Sequence, residues 1–136
     1  MSITIITTEF HKEISEKMVS FAKEELENKG KKEISIIKTL GSFEVPLLAQ
    51  EVLEKNSTEG IVVLGYIEKG ETLHGEVMGH VVHSKLLDLG LKHKKPIGFG
   101  IIGPGATLDQ AKARAESTAR RAVQALLQNI EVLKEI

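Results

Sequence analysis

The apolar positions of this chain follow two rhythms that alternate from one end to the other. Residues 2–7, 33–38, 60–65 and 97–102 are short runs dominated by Ile and Val. Runs of that length and make-up predict strands, and the unbroken Ile61-Val62-Val63-Leu64 suits a strand covered on both faces. Between these runs the spacing lengthens to three and four residues. Ile14, Met18, Phe21, Ala22 and Leu26 share one helical face, and Gly30 supplies a stop. Leu48, Ala49, Val52 and Leu53 mark a second helix, with Pro46 in its first turn, where a missing N–H costs nothing, and with fraying expected at Asn56-Ser57-Thr58. A third helix follows His74, its apolar positions Val77, Met78, Val81 and Val82, and Gly90 is available to end it. The fourth opens on Thr107-x-x-Gln110, a capping box, and carries Ala111, Ala115, Ala119, Ala122, Leu126 and Ile130 nearly to Ile136.

Strand and helix thus alternate through four βα units, which predicts an α/β architecture with a four-stranded parallel sheet and helices on both faces. A sheet this small keeps exposed edges, so association with further copies is expected. No repeat, low-complexity tract or linker interrupts the alternation. Residues 1–136 read as one domain, long enough to bury about two thirds of its unfolded surface.

Composition acts mostly by exclusion. Eighteen Lys and Arg stand against nineteen Asp and Glu, so bulk charge draws the chain to neither nucleic acid nor an anionic membrane, and any anion site must be local. The absence of cysteine removes disulfides and thiolate metal sites and fits a reducing compartment. Ile3-Thr4-Ile5-Ile6 is too short for a signal peptide, and no run approaches the roughly 18 apolar residues of a membrane span. A soluble cytoplasmic protein is the expectation.

In a parallel sheet the strand C-termini share one edge, and ligands bind in the crevice there. The less ordinary residues fall at those exits: Phe10 after the first strand, Ser42-Phe43-Glu44 after the second, Tyr66 to His74 after the third, and Gly103-Pro104-Gly105, read as a turn, after the fourth. Thr72 reads as the N-cap of the third helix, with the His74 imidazole one turn inside. That places Glu71 to His74 around a helix N-terminus, whose free N–H groups favour an anion such as phosphate. The same residues also fit a plain capped helix start with a solvated histidine. Phe10 and Phe43 fit either core plugs or rings that stack on a flat ligand. Gly98-x-Gly100-x-x-Gly103 formally matches a dinucleotide fingerprint, but its glycines begin inside the strand and belong to the last βα unit, so they mark instead a close approach of backbone or ligand. His80 and His83, three apart on a helix, lack the second motif that a metal site needs. Arg114 and Arg121, seven apart on the last helix, are either surface arginines or guanidinium forks for phosphate.

Taken in order with the four-unit layout, Gly41-Ser42-Phe43-Glu44-Val45-Pro46, Gly70-Glu71-Thr72-Leu73-His74 and Gln110-Ala111-Lys112-Ala113-Arg114 resemble the 6,7-dimethyl-8-ribityllumazine synthases, the penultimate enzymes of riboflavin synthesis. The resemblance runs from Thr8-Glu9-Phe10 to the last helix. It implies a flavodoxin-like three-layer sandwich with strand order 2-1-3-4. The implied reaction condenses 5-amino-6-(D-ribitylamino)uracil with 3,4-dihydroxy-2-butanone 4-phosphate, releasing phosphate and water without metal or cofactor. By the same resemblance, Phe10 stacks on the pyrimidine, Ser42, Phe43 and Glu44 hold the ring and ribityl chain, and Tyr66, Ile67 and Glu68 bind the heterocycle. Glu71 and Thr72 are implied to bind the phosphate, and His74 to donate and accept protons. Phe99 and Arg114 are implied to enter from a neighbouring subunit of a homopentamer, Arg114 meeting the phosphate, with assembly into a decamer or sixty-subunit shell left open. The competing readings are an archaeal-type riboflavin synthase on the same fold, against which the Gly-Glu-Thr-Leu-His stretch argues, and a flavin or ribityl-ligand binding protein that kept the pocket.

The chain also departs from the family pattern. Lys69 stands where many members have Arg, and Leu73 where Pro or Thr is common. Thr118 and Ala122 occupy places where many carry lysine, leaving Arg121 as the nearest stand-in. Gly103-Pro104-Gly105-Ala106 has one residue more than the bacterial loop, a form that resembles the archaeal branch.

Overall fold

The elements of the computed structural model, which describes residues 2–136, are β1 (Ser2–Thr8), α1 (Lys12–Asn28), β2 (Ile34–Thr39), α2 (Val45–Glu54), β3 (Thr58–Glu68), α3 (His74–His93), β4 (Ile97–Ala106) and α4 (Leu108–Glu135). A single 3₁₀ turn, Ser42–Glu44, precedes α2. All four strands run parallel in the order β2-β1-β3-β4, the order that the family resemblance implied. Alternation along β3 divides the core in two. Val62, Leu64 and Tyr66 join Met18 and Leu26 of α1 and Ala119 and Leu126 of α4, whereas Ile61, Val63 and Ile67 meet Val45, Ala49 and Leu53 of α2 and Val82 and Leu86 of α3. The result is a three-layer sandwich with α1 and α4 on one face and α2 and α3 on the other. Among the described residues no helix is long and apolar enough to cross a membrane.

Small residues let α4 lie against the sheet. Ala111, Ala115, Ala119 and Ala122 are buried, and a Cβ added to Gly98 would stand 2.3 Å from the Ala122 carbonyl oxygen, so the strand glycines do mark a backbone approach. The capping box forms as expected, the Thr107 hydroxyl accepting from the Gln110 N–H while the Gln110 side chain accepts from the Thr107 N–H. Arg120 ties α4 to α1, donating to Glu25 at 3.0 Å and Glu24 at 2.7 Å. The Gln124 amide and Arg120 together hold the Glu25 carboxyl below its usual range. Phe21, expected in the core, is half-buried beneath the Arg120 guanidinium, 5.3 Å from its ring centre.

Three sequence expectations are corrected. First, Gly103-Pro104-Gly105 is not a turn but part of β4, which pairs on until Glu68 faces Ala106, across a register shift after Tyr66. Gly103 has φ +92, and a Cβ there would come within 2.3 Å of the Ile67 carbonyl oxygen, so glycine alone keeps the kinked strand in contact with β3. Second, Gly90 does not end α3. The helix continues to His93, Lys94 adopts the left-handed cap, and the Lys95 N–H reaches back to the Gly90 carbonyl at 3.2 Å, just before Pro96. Third, the apolar positions of α3 do not form one buried face. Val82 is buried and Met78 half-buried, but Val77 and Val81 are 55% and 45% exposed. They share an outward stripe with Leu73, Leu87 and Leu91, on the side of the helix opposite Gly79, Val82 and Leu86.

Candidate active site

The exits of β1, β2 and β3 and the starts of α2 and α3 bound one open cleft of about 650 Å³. Each wall follows from how its strand ends. β1 leaves the sheet at Thr8 and presents Phe10 before α1 begins. β2 passes through Gly41 into the 3₁₀ turn, which sets Ser42, Phe43 and Glu44 along the opposite side. β3 forms the floor with Tyr66 and Ile67 and raises Glu68 at the wall, and the connection to α3 brings Gly70, Thr72 and His74 to the rim.

Phe10 and Phe43 are 47% and 48% exposed, which rules out the core-plug reading for both. The Phe43 ring lies edge-on to the His74 imidazole, their centres 6.1 Å apart. His74 is the first residue of α3 rather than one turn inside it, and its N–H donates to the Thr72 hydroxyl at 3.3 Å. Thr72 therefore serves the helix start from one place before the N-cap position, which Leu73 holds. Ser42, Tyr66 and Ile67 are buried. The Tyr66 hydroxyl donates to the Ala106 carbonyl at 2.9 Å, and burial, followed by the nearby Glu68 charge, pushes its phenol pKa up.

Glu71 borders a smaller neighbouring cleft with Lys69, Glu76 and Gly105, which shares Gly70 and Thr72 with the main one. Two candidates lie elsewhere on the chain. Phe99 points from β4 into a groove with Leu87, Leu91 and Leu133, its ring 5.7 Å from that of His83. Arg114 is exposed on α4 and donates to the Gln110 carbonyl at 3.4 Å. His80 and His83 do not converge: His80 faces Glu76 at 3.8 Å, and His83 Nδ1 lies 2.7 Å from the Gly79 carbonyl. Among the described residues no three His, Asp or Glu side chains are gathered as metal ligands.

His11, outside the set that the sequence singled out, contacts three residues that line the cleft. Its Nε2 lies 3.3 Å from Glu68 Oε1, and its ring packs against Phe10 at 4.5 Å and Tyr66 at 5.1 Å between centres. The available signal was its place directly after Phe10, where the chain turns into α1 without a glycine.

Two exposed aromatic rings, the carboxylates of Glu9, Glu44 and Glu68 and an imidazole converging on the strand exits define a parallel α/β protein built to hold a small molecule. Comparison with known proteins narrows that class. Residues 1–134 match the family model described as 6,7-dimethyl-8-ribityllumazine synthase, and the chain belongs to that family. It is 37% identical over 134 residues to a protein of that name from Staphylothermus marinus, covering 98% of this chain and 89% of the other. A Methanopyrus kandleri protein of the same name is 35% identical over 132 residues, covering 97% of this chain and 93% of its own length. One from Sulfolobus acidocaldarius is 33% identical over 136 residues, covering all of this chain and 86% of the relative.

Proposed function

We propose that this chain, acting as one domain, condenses 5-amino-6-(D-ribitylamino)uracil with 3,4-dihydroxy-2-butanone 4-phosphate to 6,7-dimethyl-8-ribityllumazine, releasing phosphate and water. The observation that carries the reading is the convergence of Phe10, Phe43 and His74, delivered by three different strand exits, on one cleft. The flat pyrimidine stacks on Phe10, whose exposed face suits a π-surface. Ser42, Phe43 and Glu44 hold the ring and the hydroxyl-rich ribityl chain, and Tyr66, Ile67 and Glu68 bind the heterocycle from below. Glu71 and Thr72 set the phosphate at the start of α3, where unsatisfied N–H groups and the positive end of the helix dipole attract an anion.

The chemistry asks for proton transfer and alignment. The pyrimidine amine attacks the ketone, water leaves to give an imine, phosphate is eliminated to leave an enol that tautomerises to a new carbonyl, and the second amine closes the ring on that carbonyl with loss of water. Each step moves a proton, and an imidazole serves in both directions near neutrality. His74 takes that role from the rim. Holding two substrates in register supplies much of the remaining rate enhancement.

The site is completed by a second copy in a homopentamer, which works in the cytoplasm. Support comes from Phe99 and Arg114, which lie outside the cleft of their own chain, and from the outward stripe of Leu73, Val77, Val81, Leu87 and Leu91 on α3. In the ring, Phe99 of one subunit covers the pyrimidine of the next and Arg114 grips its phosphate with a guanidinium fork. Mixing the purified protein with both substrates and following lumazine fluorescence tests the assignment. Product formation is expected, whereas tight flavin binding without product would overturn it.

A further inference from the structure

The contact between His11 and Glu68 joins two parts of the cleft that sequence separates by most of the chain's first half. Phe10 and His11 form the corner between β1 and α1, and that corner is held firmly. The Ser15 hydroxyl donates to the Phe10 carbonyl at 3.1 Å. His11 sits in the left-handed region at φ 51, ψ 66, and its own carbonyl accepts the N–H groups of Ile14 and Ser15 at 3.0 and 3.1 Å. A residue other than glycine is uncommon there, with histidine, asparagine and aspartate the usual exceptions. The conformation places the imidazole between Phe10 and Tyr66, with its Nε2 on Glu68. No side-chain hydrogen bond caps α1 from this position, so the ring is committed to Phe10, Tyr66 and Glu68 and not to the helix.

We propose that His11 is a positioning residue that sets the stacking platform and the carboxylate together, its ring bracing Phe10 and its Nε2 fixing Glu68 for the donor groups of the pyrimidine substrate. This rests on the assignment of the condensation reaction. Nε2 stands 3.3 Å from Glu68 Oε1, a close polar contact between an imidazole nitrogen and a carboxylate. With one oxygen of Glu68 occupied by His11, the other is left for an N–H or O–H donor in the cleft. The two rings meet at 74° between planes and are not stacked, and Phe10 is still 47% exposed, which leaves ring surface for a stacked heterocycle. The His11 ring itself contacts Phe10, Tyr66 and Glu68, whereas the phosphate is assigned to Glu71, Thr72 and Arg114. The effect of losing His11 therefore falls mainly on the affinity for the pyrimidine.

Two variants separate the side chain from the backbone. His11→Asn tolerates the left-handed conformation but is too short to reach Glu68, and His11→Gln carries an amide nitrogen to about the distance of Nε2. The expected result is that His11→Asn raises KM for the pyrimidine about 10-fold, through the lost ring against Phe10 and the lost polar contact to Glu68, with kcat within about 2-fold and a much smaller change in KM for the phosphorylated ketone. His11→Gln recovers the part of the loss that runs through Glu68, and in a Glu68→Ala background His11→Asn adds only the part that runs through the ring against Phe10. An unchanged pyrimidine KM in His11→Asn, an equal rise for both substrates, or no recovery in His11→Gln would overturn the proposal. If the wild-type protein makes no product, the reaction assignment fails on its own, and calorimetric titration of the pyrimidine into wild type and His11→Asn decides the positioning role. Equal affinities, or no binding to either, reject it.

Discussion

His74 stands where three features coincide: the first turn of α3, the edge of the Phe43 ring and the rim of an open cleft. An imidazole so placed is open to the cleft on one side and anchored by its backbone on the other, through the Thr72 hydroxyl. His74→Ala is expected to lower kcat by about 10- to 1,000-fold, the usual worth of a general acid–base group when water can substitute in part. Steady-state kinetics check this, with light scattering to confirm unchanged assembly, and unaltered turnover removes the role assigned to His74. Arg114 carries the complementary expectation. It is exposed, and its Nη1 donates to the Gln110 carbonyl at 3.4 Å. Arg114→Ala should raise KM for the phosphorylated ketone far more than for the pyrimidine, and an effect confined to the pyrimidine contradicts its placement. At this scale the sequence was informative about residue types at strand exits, because Phe10, Phe43 and His74 are conspicuous there. It was silent about His11, whose partner Glu68 belongs to another strand.

At the scale of elements, the fit of α4 on the sheet depends on missing side chains. Gly98 and Gly100 face the helix where Ala122 crosses, and Gly60 faces Leu126. In Gly98→Ala the new methyl meets the Ala122 carbonyl oxygen, part of a helix backbone that cannot rotate away as a flexible side chain could. The variant should therefore lose about 1–3 kcal/mol of stability, the usual cost of overpacking. A lower denaturant midpoint at constant slope would report it, and an unchanged midpoint would show that α4 shifts without cost. The helix positions themselves were legible, since small residues recur at three- and four-residue steps along α4. The ends of β3 and β4 were not. Glycine and proline after residue 102 signal a turn locally, and only the pairing of Glu68 with Ala106 shows that the strand carries on.

For the whole molecule, the decisive feature is that α3 has two apolar flanks. One is spent on the sheet through Val82 and Leu86, and the other, from Leu73 to Leu91, remains open. β4 is also an edge strand of the sheet, and unpaired edges and apolar stripes both favour association. Light scattering is expected to return roughly five times the 14.9 kDa mass of one chain. Leu91, 70% exposed within the chain, should tolerate Leu91→Asp without loss of helical circular dichroism while the assembly falls to smaller species. A wild-type monomer, or an undisturbed assembly in the variant, would count against the ring. Periodicity by itself determined the four βα units, the parallel sheet between two helical layers and the strand exits where chemistry gathers, because side-chain spacing reports which residues share a face. The tertiary structure alone decided which flank of α3 meets the sheet, how far β3 and β4 pair, and that His11 reaches Glu68. Those outcomes depend on what lies opposite each face, and the opposing groups come from segments distant in sequence.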